Sequence, residues 1–417
     1  MVSNDLKNPF FISALLCAFL FYSGLFSVSQ RFPVISLLDK NAVTRITGQM
    51  KSSPRKISSR DFYSADFSLR LCSDSCGNRS EAYGILNVLI PSEMVEVFFP
   101  GKLYSKGFLK GDFLYEQGCN FCFTGKFLGD SFLVEHCSAG WWNQNFWGNI
   151  TKIRALCRLL LKRLLFMWNK AGGFFLALLC GAREYTDSAT DTAFKNAGLS
   201  HILALSGMHL SLFSGIALFL GNKIGRRKIS FIIRITSIVL FVCFAGISPS
   251  LCRAFICELV LICYSLSGIK KPGMLVVLSL SFLIQCVIFP SHINNSGFIL
   301  SYSALAGILL FKNFFKRLCS RFCPKAFSET VSASLGAQFF SAPISLYLFS
   351  AWNPLCVVSS VFVSPLVTIF IYAGLFFLII SLIFPPLAQA SGIFMNILYT
   401  VIEKMVQLFA SVPLIRI

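Results

Sequence analysis

The chain has 417 residues, of which 55% are hydrophobic and only 13% are charged, and its formal net charge is +19. So few charges cannot cover a soluble domain of that apolar content, which includes 45 phenylalanines. The composition excludes a soluble globular protein. It predicts a polytopic α-helical membrane protein.

The first 30 residues contain one uncharged apolar segment, which runs from Pro9 to Val28. Its length matches the ~20 residues that a helix needs to cross a bilayer. No clear small-residue cleavage site follows it, so a retained anchor is favoured over a removed signal peptide. We therefore assign residues 1–30 to an N-terminal transmembrane anchor.

Residues 31–148 differ from the rest because their 13 basic and 11 acidic side chains nearly balance. Short runs of alternating polar and apolar residues, such as 61–70 and 83–90, are bounded by Gly, Pro, Asn and Ser. This pattern is typical of short antiparallel strands. It predicts a small inserted all-β domain, a barrel or a sandwich, and about 100 residues suffice for its own core.

Five of the chain's 16 cysteines lie in this β-domain. If the domain is extracytoplasmic, as the loop charges below indicate, Cys72, Cys76, Cys119 and Cys122 are predicted to form disulfides, with the pairing left open. A four-cysteine zinc site is the alternative. The cysteines outside this domain lie mostly in apolar helices and are interpreted as small hydrophobic residues.

Residues 149–195 are predicted to form an amphipathic helix followed by a linker. Apolar residues recur between 149 and 168 at spacings of three and four, which indicates a helix lying in the membrane interface. Its basic side chains are Arg154, Arg158, Lys162 and Arg163. They are expected either to attract anionic lipid headgroups or to form a basic collar for an anionic polymer.

Residues 196–417 are predicted to form a transmembrane helix bundle. The predicted spans of the chain are 9–28, 198–220, 229–247, 250–268, 273–289, 297–311, 328–350, 354–382 and 387–412. The last contains Glu403 and Lys404, which leaves its crossing open. Basic connections (222–234, 270–271, 312–325) alternate with nearly neutral ones (246–250, 290–296, 351–354). The positive-inside rule places the basic connections in the cytoplasm and the β-domain outside the cytoplasmic membrane.

The segment 196–215 is apolar enough for a bilayer, yet it carries two histidines, four serines and three glycines. Polar groups are costly in hydrocarbon, and small residues let helices approach closely. The segment is therefore predicted to lie inside the bundle and to line a path. For the serines alone, hydrogen bonds to their own helix are the favoured alternative.

The segment 195–209 resembles the one that opens the competence domain of the ComEC family of DNA-internalisation proteins. Further family-like segments follow in the family's order at 246–254, 296–306 and 337–343, and the last is followed by Trp352-Asn-Pro354. Ile299 stands where the family usually has glutamine. The resemblance covers about residues 30–410, because the family also places an OB-like β-domain between an early anchor and the bundle.

This resemblance implies a membrane channel for single-stranded DNA during natural transformation. Such a polyanion needs a wet route lined by cations and hydrogen-bond donors. The candidate path residues are His201, Ser206, Gly207, His209, Arg253, Ser301, Gln338, Ser341 and Asn353. Arg253 suits a phosphate contact near the outer end of a span, and Glu258 is expected to pair with Arg253 or another bundle cation.

Many family members continue into a metallo-β-lactamase-like domain, but no His-x-His-x-Asp-His cluster occurs here. No P-loop occurs either. The chain is therefore expected not to be an enzyme and to hold no metal or cofactor. Its expected partners are single-stranded DNA, the lipid bilayer, and separate DNA-receptor, nuclease and cytoplasmic motor proteins. Homo-oligomerisation is left open.

Two other classes of function compete with this interpretation. The first is a transporter or flippase for another anionic substrate, such as a cell-envelope precursor. The second is an intramembrane hydrolase that uses Ser206 and His209. The second is disfavoured because no orienting acid lies near these two residues in the sequence.

Overall fold

The computed structural model contains a small β-barrel and a larger bundle of helices. It describes residues 6, 8–23, 35–36, 39, 42–57, 61–96, 114–181, 186, 188–203, 207–223, 227–268, 272–321, 324–384, 386–412 and 415–416. This confirms the predicted fold class, helices of a membrane protein together with a small all-β domain.

The N-terminal domain is built from eight strands. They are β1 (Ile35–Ser36), β2 (Val43–Met50), β3 (Arg55–Lys56), β4 (Phe62–Asp74), β5 (Arg79–Tyr83), β6 (Ile85–Pro91), β7 (Asn120–Leu128) and β8 (Ser131–Trp141), with a short helix α2 (Ser92–Glu96) after β6. Strands β2, β4, β6, β8 and β7 pair in that order, and β7 returns to β2, which closes a barrel. Among the described strand pairs of this domain, β6–β8 is parallel and the others are antiparallel. The barrel is OB-like, as predicted.

The barrel closes over an apolar core because the side chains of its strands alternate between the two faces. Strand β6 follows this rule strictly, and Leu86, Val88 and Ile90 all point inward. The sheet bends at Gly48 and Gly125, which sit at irregularities of strand register. A Cβ at either glycine would lie about 2 Å from a backbone oxygen of the neighbouring strand, so only glycine fits there.

The structure contradicts the predicted disulfides. Every cysteine that it describes is a free thiol, including Cys72, Cys76, Cys119 and Cys122. Cys72 is buried in the barrel, whereas Cys76 lies in the exposed turn after β4; Cys119 is likewise buried, whereas Cys122 is on the outer face of β7. This placement separates Cys72 from Cys76 and Cys119 from Cys122, so neither of these two pairs is in position for a disulfide. Among the described residues, no cluster of three or more His, Cys, Asp or Glu could hold the alternative zinc ion.

The helices before residue 204, apart from α2, are α1 (Pro9–Tyr22), α3 (Phe146–Phe166), α4 (Asn169–Cys180), α5 (Ser188–Asn196) and α6 (Ser200–Leu203). Those that follow are α7 (Gly207–Lys223), α8 (Arg227–Ala245), α9 (Pro249–Leu266), α10 (Met274–Ile288), α11 (Ser296–Cys319), α12 (Lys325–Phe349), α13 (Cys356–Ile383) and α14 (Leu387–Ala410). Each predicted span overlaps a described helix, but the span 9–28 is matched only over Pro9–Tyr22, and the span 198–220 falls on two helices, α6 and α7. Among the described helices, α9, α11, α13 and α14 are long and apolar enough to cross a membrane.

The sequence analysis missed α4, a helix of 12 residues within the predicted linker. Every residue from Ala171 to Cys180 is buried, so α4 lies in the interior of the bundle. The ring of Phe174 packs on Phe370 of α13, and Phe175 fills the space beside Gly374. A helix that is apolar on all sides is expected to be buried in this way. The predicted linker also contains α5.

Candidate functional site

Three of the family-like segments meet at the guanidinium of Arg253. This residue lies near the start of α9, a helix capped by the Ser248 hydroxyl. Arg253 Nη1 donates to the carbonyl oxygen of Ser301 on α11 at 2.6 Å. A Cβ at Gly207, the first residue of α7, would lie 3.3 Å from Arg253 Nη2. The structure thus brings together Gly207, Arg253 and Ser301.

The contacts of Arg253 are to uncharged groups. Among the described residues no carboxylate lies within 4.0 Å of its guanidinium, and its buried Nε has no hydrogen-bond partner. Glu258 pairs instead with Arg234 of α8, whose Nη2 lies 2.5 Å from Glu258 Oε2. The Nε of Arg234 also donates to Ser214 Oγ at 2.7 Å. Of the two partners expected for Glu258, the structure selects the other bundle cation.

A buried polar network that the sequence analysis missed supports this site. Gln285 of α10 is fully buried, and its Nε2 donates to the Pro249 carbonyl at 3.0 Å and lies 3.1 Å from His292 Nδ1. Its Oε1 accepts from the Tyr302 hydroxyl at 3.0 Å, and that hydroxyl is 3.2 Å from Ser281 Oγ. This network joins the start of α9 to α11, next to Ser301. An amide within the apolar segment of α10 was its only sequence signal.

The remaining path candidates are distributed along the bundle. His209 is buried within α7, at 2% exposure, whereas His201 on α6 is exposed. Gln338 and Ser341 are half-buried on α12. Ser206 lies outside the described residues. The roles of these residues on a path stay predictions.

Asn353 joins the first family-like segment to the last. Its Nδ2 donates to the Asn196 carbonyl at 2.6 Å, and its Oδ1 accepts from the Leu355 amide at 2.8 Å. Gly198 supports the same contact, since it has a φ of +72° and a Cβ there would lie 2.7 Å from Cys356 Cβ. Both ends of the Asn353 amide are therefore engaged by the backbone. It holds two segments together.

The predicted basic collar faces the protein, not solvent. The segment 114–118, which leads into β7, runs along α3. Arg154 Nη1 donates to Gln117 Oε1 at 3.0 Å, Lys162 Nζ lies 2.8 Å from Glu116 Oε1, and Arg158 Nε lies 3.8 Å from Glu116 Oε2. We call this contact between residues 114–118 and α3 the barrel joint. Arg163 is half-buried on the same helix.

The opposite face of α3 is apolar and exposed. Phe146 and Trp147 at its N-terminus are 73% and 70% exposed, and Ile153 and Leu160 are also exposed. The helix is amphipathic, as predicted, but its charged face packs on protein. Arg154, Arg158 and Lys162 contact protein groups here, and their attraction to lipid headgroups or to an anionic polymer stays a prediction.

The charges of the barrel joint hold Glu116 ionised. Burial, at 6% exposure, would raise the pKa of this carboxyl. The nearby Arg158 and Lys162, together with hydrogen bonds from Lys162 and Ser53, outweigh burial and lower the pKa to about 2. Glu116 therefore stays negatively charged at neutral pH, and the joint remains closed.

The fold and this site define a membrane protein that carries an OB-like barrel on a helical bundle. Residues 178–417 match the family model described as Competence protein, so the chain belongs to this family, ComEC. The match begins within α4, ahead of the predicted boundary at 196. The chain is 27% identical over 212 residues to ComE operon protein 3 of Bacillus subtilis (strain 168). This alignment covers 48% of the chain and 25% of that relative, and no solved structure matches.

Proposed function

We propose that the chain is a membrane channel through which single-stranded DNA crosses the cytoplasmic membrane during natural transformation. Membership of the competence protein family supports a role in DNA uptake. The observation that carries the channel itself is Arg253, a cation inside the bundle with uncharged neighbours.

Arg253 has the chemistry of a phosphate contact. Its Nη1 is held by the Ser301 carbonyl, which fixes the direction of the guanidinium. Gly207 lets α7 approach the guanidinium closely, since a Cβ there would lie 3.3 Å from both Arg253 Nη2 and Ala254 Cβ. A guanidinium binds a phosphate through two parallel hydrogen bonds, and such charge-assisted bonds are strong where water is scarce. An anion passing here would supply the negative charge that the neighbouring residues lack.

The orientation we propose places the barrel outside the cytoplasm. The Tyr22 hydroxyl at the end of α1 donates to the Ile293 carbonyl at 3.1 Å, so α1 ends beside a nearly neutral connection. The barrel joint likewise reaches the neutral turn at 246–248 through Arg154. The basic ends of α7 and α11 would then face the cytoplasm. Arg253 would lie near the outer entrance, where the incoming strand arrives.

The channel works in this proposal without chemistry of its own. Separate proteins would deliver the DNA, degrade the strand that does not enter, and supply the energy. We propose that the chain is not an enzyme. Lipids of the bilayer would surround the exposed apolar faces of its helices.

The test is uptake of marked DNA by a transformable host that lacks this gene and carries variants of the chain. Arg253→Ala should lower uptake by about tenfold or more, because a hydrogen bond to a charged group contributes ~1.5–3 kcal/mol. Arg253→Lys keeps the charge and should retain part of the uptake. Lys152→Ala removes an exposed cation of α3 and is the control.

Two results would contradict the proposal. Normal DNA uptake by Arg253→Ala, at normal accumulation of the protein in the membrane, would rule out a phosphate contact at Arg253. Normal DNA uptake by the deletion strain would rule out the channel. If the deletion instead impaired assembly of the cell envelope, a transporter for another anion would be favoured.

A further inference from the structure

Arg154 contacts the barrel and the bundle at the same time. Its Nη1 donates to Gln117 Oε1 of the barrel joint at 3.0 Å. Its Nε donates to the Phe244 carbonyl, in the last turn of α8, at 3.2 Å. Carbonyls at a helix C-terminus lack helical partners and carry partial negative charge, so a guanidinium is well suited to this position.

The turn after α8 is shaped to receive this guanidinium. Gly246 has a φ of +95°, a conformation that favours glycine. A Cβ at Gly246 would lie 2.5 Å from Arg154 Nη2 and 3.2 Å from its Cζ. Glycine is thus favoured by the backbone conformation, and any larger residue would displace the guanidinium of Arg154 from the turn. Gly246 is the first residue of the family-like segment 246–254, and its positive φ and its contact with Arg154 give a physical reason for a glycine there.

The same turn sets the position of Arg253. The Gly246 amide donates to the Val242 carbonyl at 2.9 Å, and the Ser248 amide donates to the Gly246 carbonyl at 3.2 Å. Helix α9 begins immediately afterwards at Pro249. A turn this short transmits a displacement at Gly246 to the first turns of α9, where Arg253 lies.

We propose that Arg154 is a positioning residue that couples the placement of the β-barrel to the alignment of Arg253. Arg158 and Lys162 act differently, because both pair with Glu116 and close the barrel joint itself. Arg154 extends the joint to the α8–α9 turn. If a bound DNA strand moved the barrel relative to α3, the movement would shift the entrance of the bundle. The biological meaning of this coupling rests on the proposed DNA channel, but the coupling itself does not.

The coupling can be measured as a distance in the purified full-length chain. Spin labels would be attached through non-canonical amino acids, because the chain has 16 cysteines. One label replaces Lys126, which is exposed on the barrel, and the other replaces Ile247, which is exposed in the α8–α9 turn. Pulsed dipolar spectroscopy then gives the distribution of distances between barrel and turn.

We expect one narrow distribution in the wild type and in the control Lys152→Ala. Arg154→Ala should broaden it, and Arg154→Lys should broaden it less, because a lysine cannot span both acceptors with a rigid fork. Gln117→Leu removes only the bond to the barrel and keeps the Phe244 bond. Gln117→Leu should also broaden the distance distribution. It provides the test if Arg154→Ala fails to accumulate.

DNA uptake by the same variants separates this inference from the proposed function. Arg154→Ala should lower uptake about threefold or more while accumulation stays normal, the scale typical of coupling through a contact network. A distribution unchanged in both Arg154→Ala and Gln117→Leu would overturn the coupling, whatever the uptake. Broadened distributions together with normal uptake by Arg253→Ala would leave the coupling intact and contradict the channel.

Discussion

Replacing Glu116 with glutamine should weaken the barrel joint more than any surface mutation of the barrel. Glutamine has nearly the same shape and can still accept hydrogen bonds from Ser53 and Lys162. It removes the negative charge that faces Arg158, which is only 5% exposed. The buried Arg158 then loses its attraction to this carboxylate.

Two independent arguments give the size of this effect. Stranding one partner of a buried ion pair costs about 3–5 kcal/mol. The pKa of Glu116 falls from 4.5 to about 2 in the folded chain, which corresponds to roughly 3 kcal/mol. Because the pKa is lowered on folding, this stabilisation is present above pH ~4.5 and is lost as the pH falls toward 2.

The assay is thermal unfolding of the purified full-length chain in detergent, combined with limited proteolysis of the barrel joint. At pH 7 Glu116→Gln should unfold at a lower temperature than the wild type and should be cleaved faster near residues 114–118. The matched control is Glu135→Gln. Glu135 lies 3.5 Å from Lys126 with both side chains about half exposed or more, and such a pair contributes only ~0–1 kcal/mol.

The pH dependence provides the sharper result. The wild type should lose stability as the pH falls from 4.5 toward 2, and Glu116→Gln should lose less over this range because it has no such carboxyl to protonate. If Glu116→Gln matches Glu135→Gln at pH 7, or loses as much stability in acid as the wild type, the ion pair does not hold the joint.

Three further predictions concern the bundle and the cysteines. Arg234→Ala should reduce membrane accumulation because it strands Glu258 inside the bundle, and the double variant Arg234→Leu with Glu258→Leu should recover it on immunoblots. Asn353→Ala leaves a half-buried carbonyl and a half-buried amide without this partner and should cost about 1–3 kcal/mol in unfolding measurements; an unchanged transition would contradict its structural role. Mass spectrometry after alkylation of the unfolded, unreduced chain should find all five barrel cysteines as thiols, whereas a bridged pair would contradict the fold described here.

The spans and the barrel could be predicted because each follows from a periodic pattern of local residues. Apolar runs gave the helices, and Phe384-Pro385-Pro386 correctly marked the break between α13, which ends at Ile383, and α14, which begins at Leu387. Alternation gave the strands. The same alternation argues against a bridge between Cys119 and Cys122, since Cys119 is buried just before β7 and Cys122 lies on the outer face of that strand.

Features that depend on partners distant in sequence could not be predicted. The basic face of α3 is locally indistinguishable from one that faces lipid or DNA, because its partners Glu116 and Gln117 lie in an unremarkable segment before β7. The sequence left two possible partners for Glu258, Arg253 or another cation of the bundle, and the contact with Arg234 depends on how α8 and α9 pack together. Full burial of α4 likewise depends on helices α13 and α14, which occur much later in the chain.

Crosslinking can show whether single-stranded DNA passes Arg253. Single-stranded DNA with a photoreactive group on its backbone would be presented to the full-length chain in liposomes, irradiated, and mapped by mass spectrometry of the linked peptides. We expect crosslinks to peptides that contain Gly207, Arg253 or Ser301. The yield of these crosslinks should fall at higher salt and in Arg253→Ala, but not in Lys152→Ala. Links confined to the barrel, or links at these peptides that Arg253→Ala leaves unchanged, would contradict it.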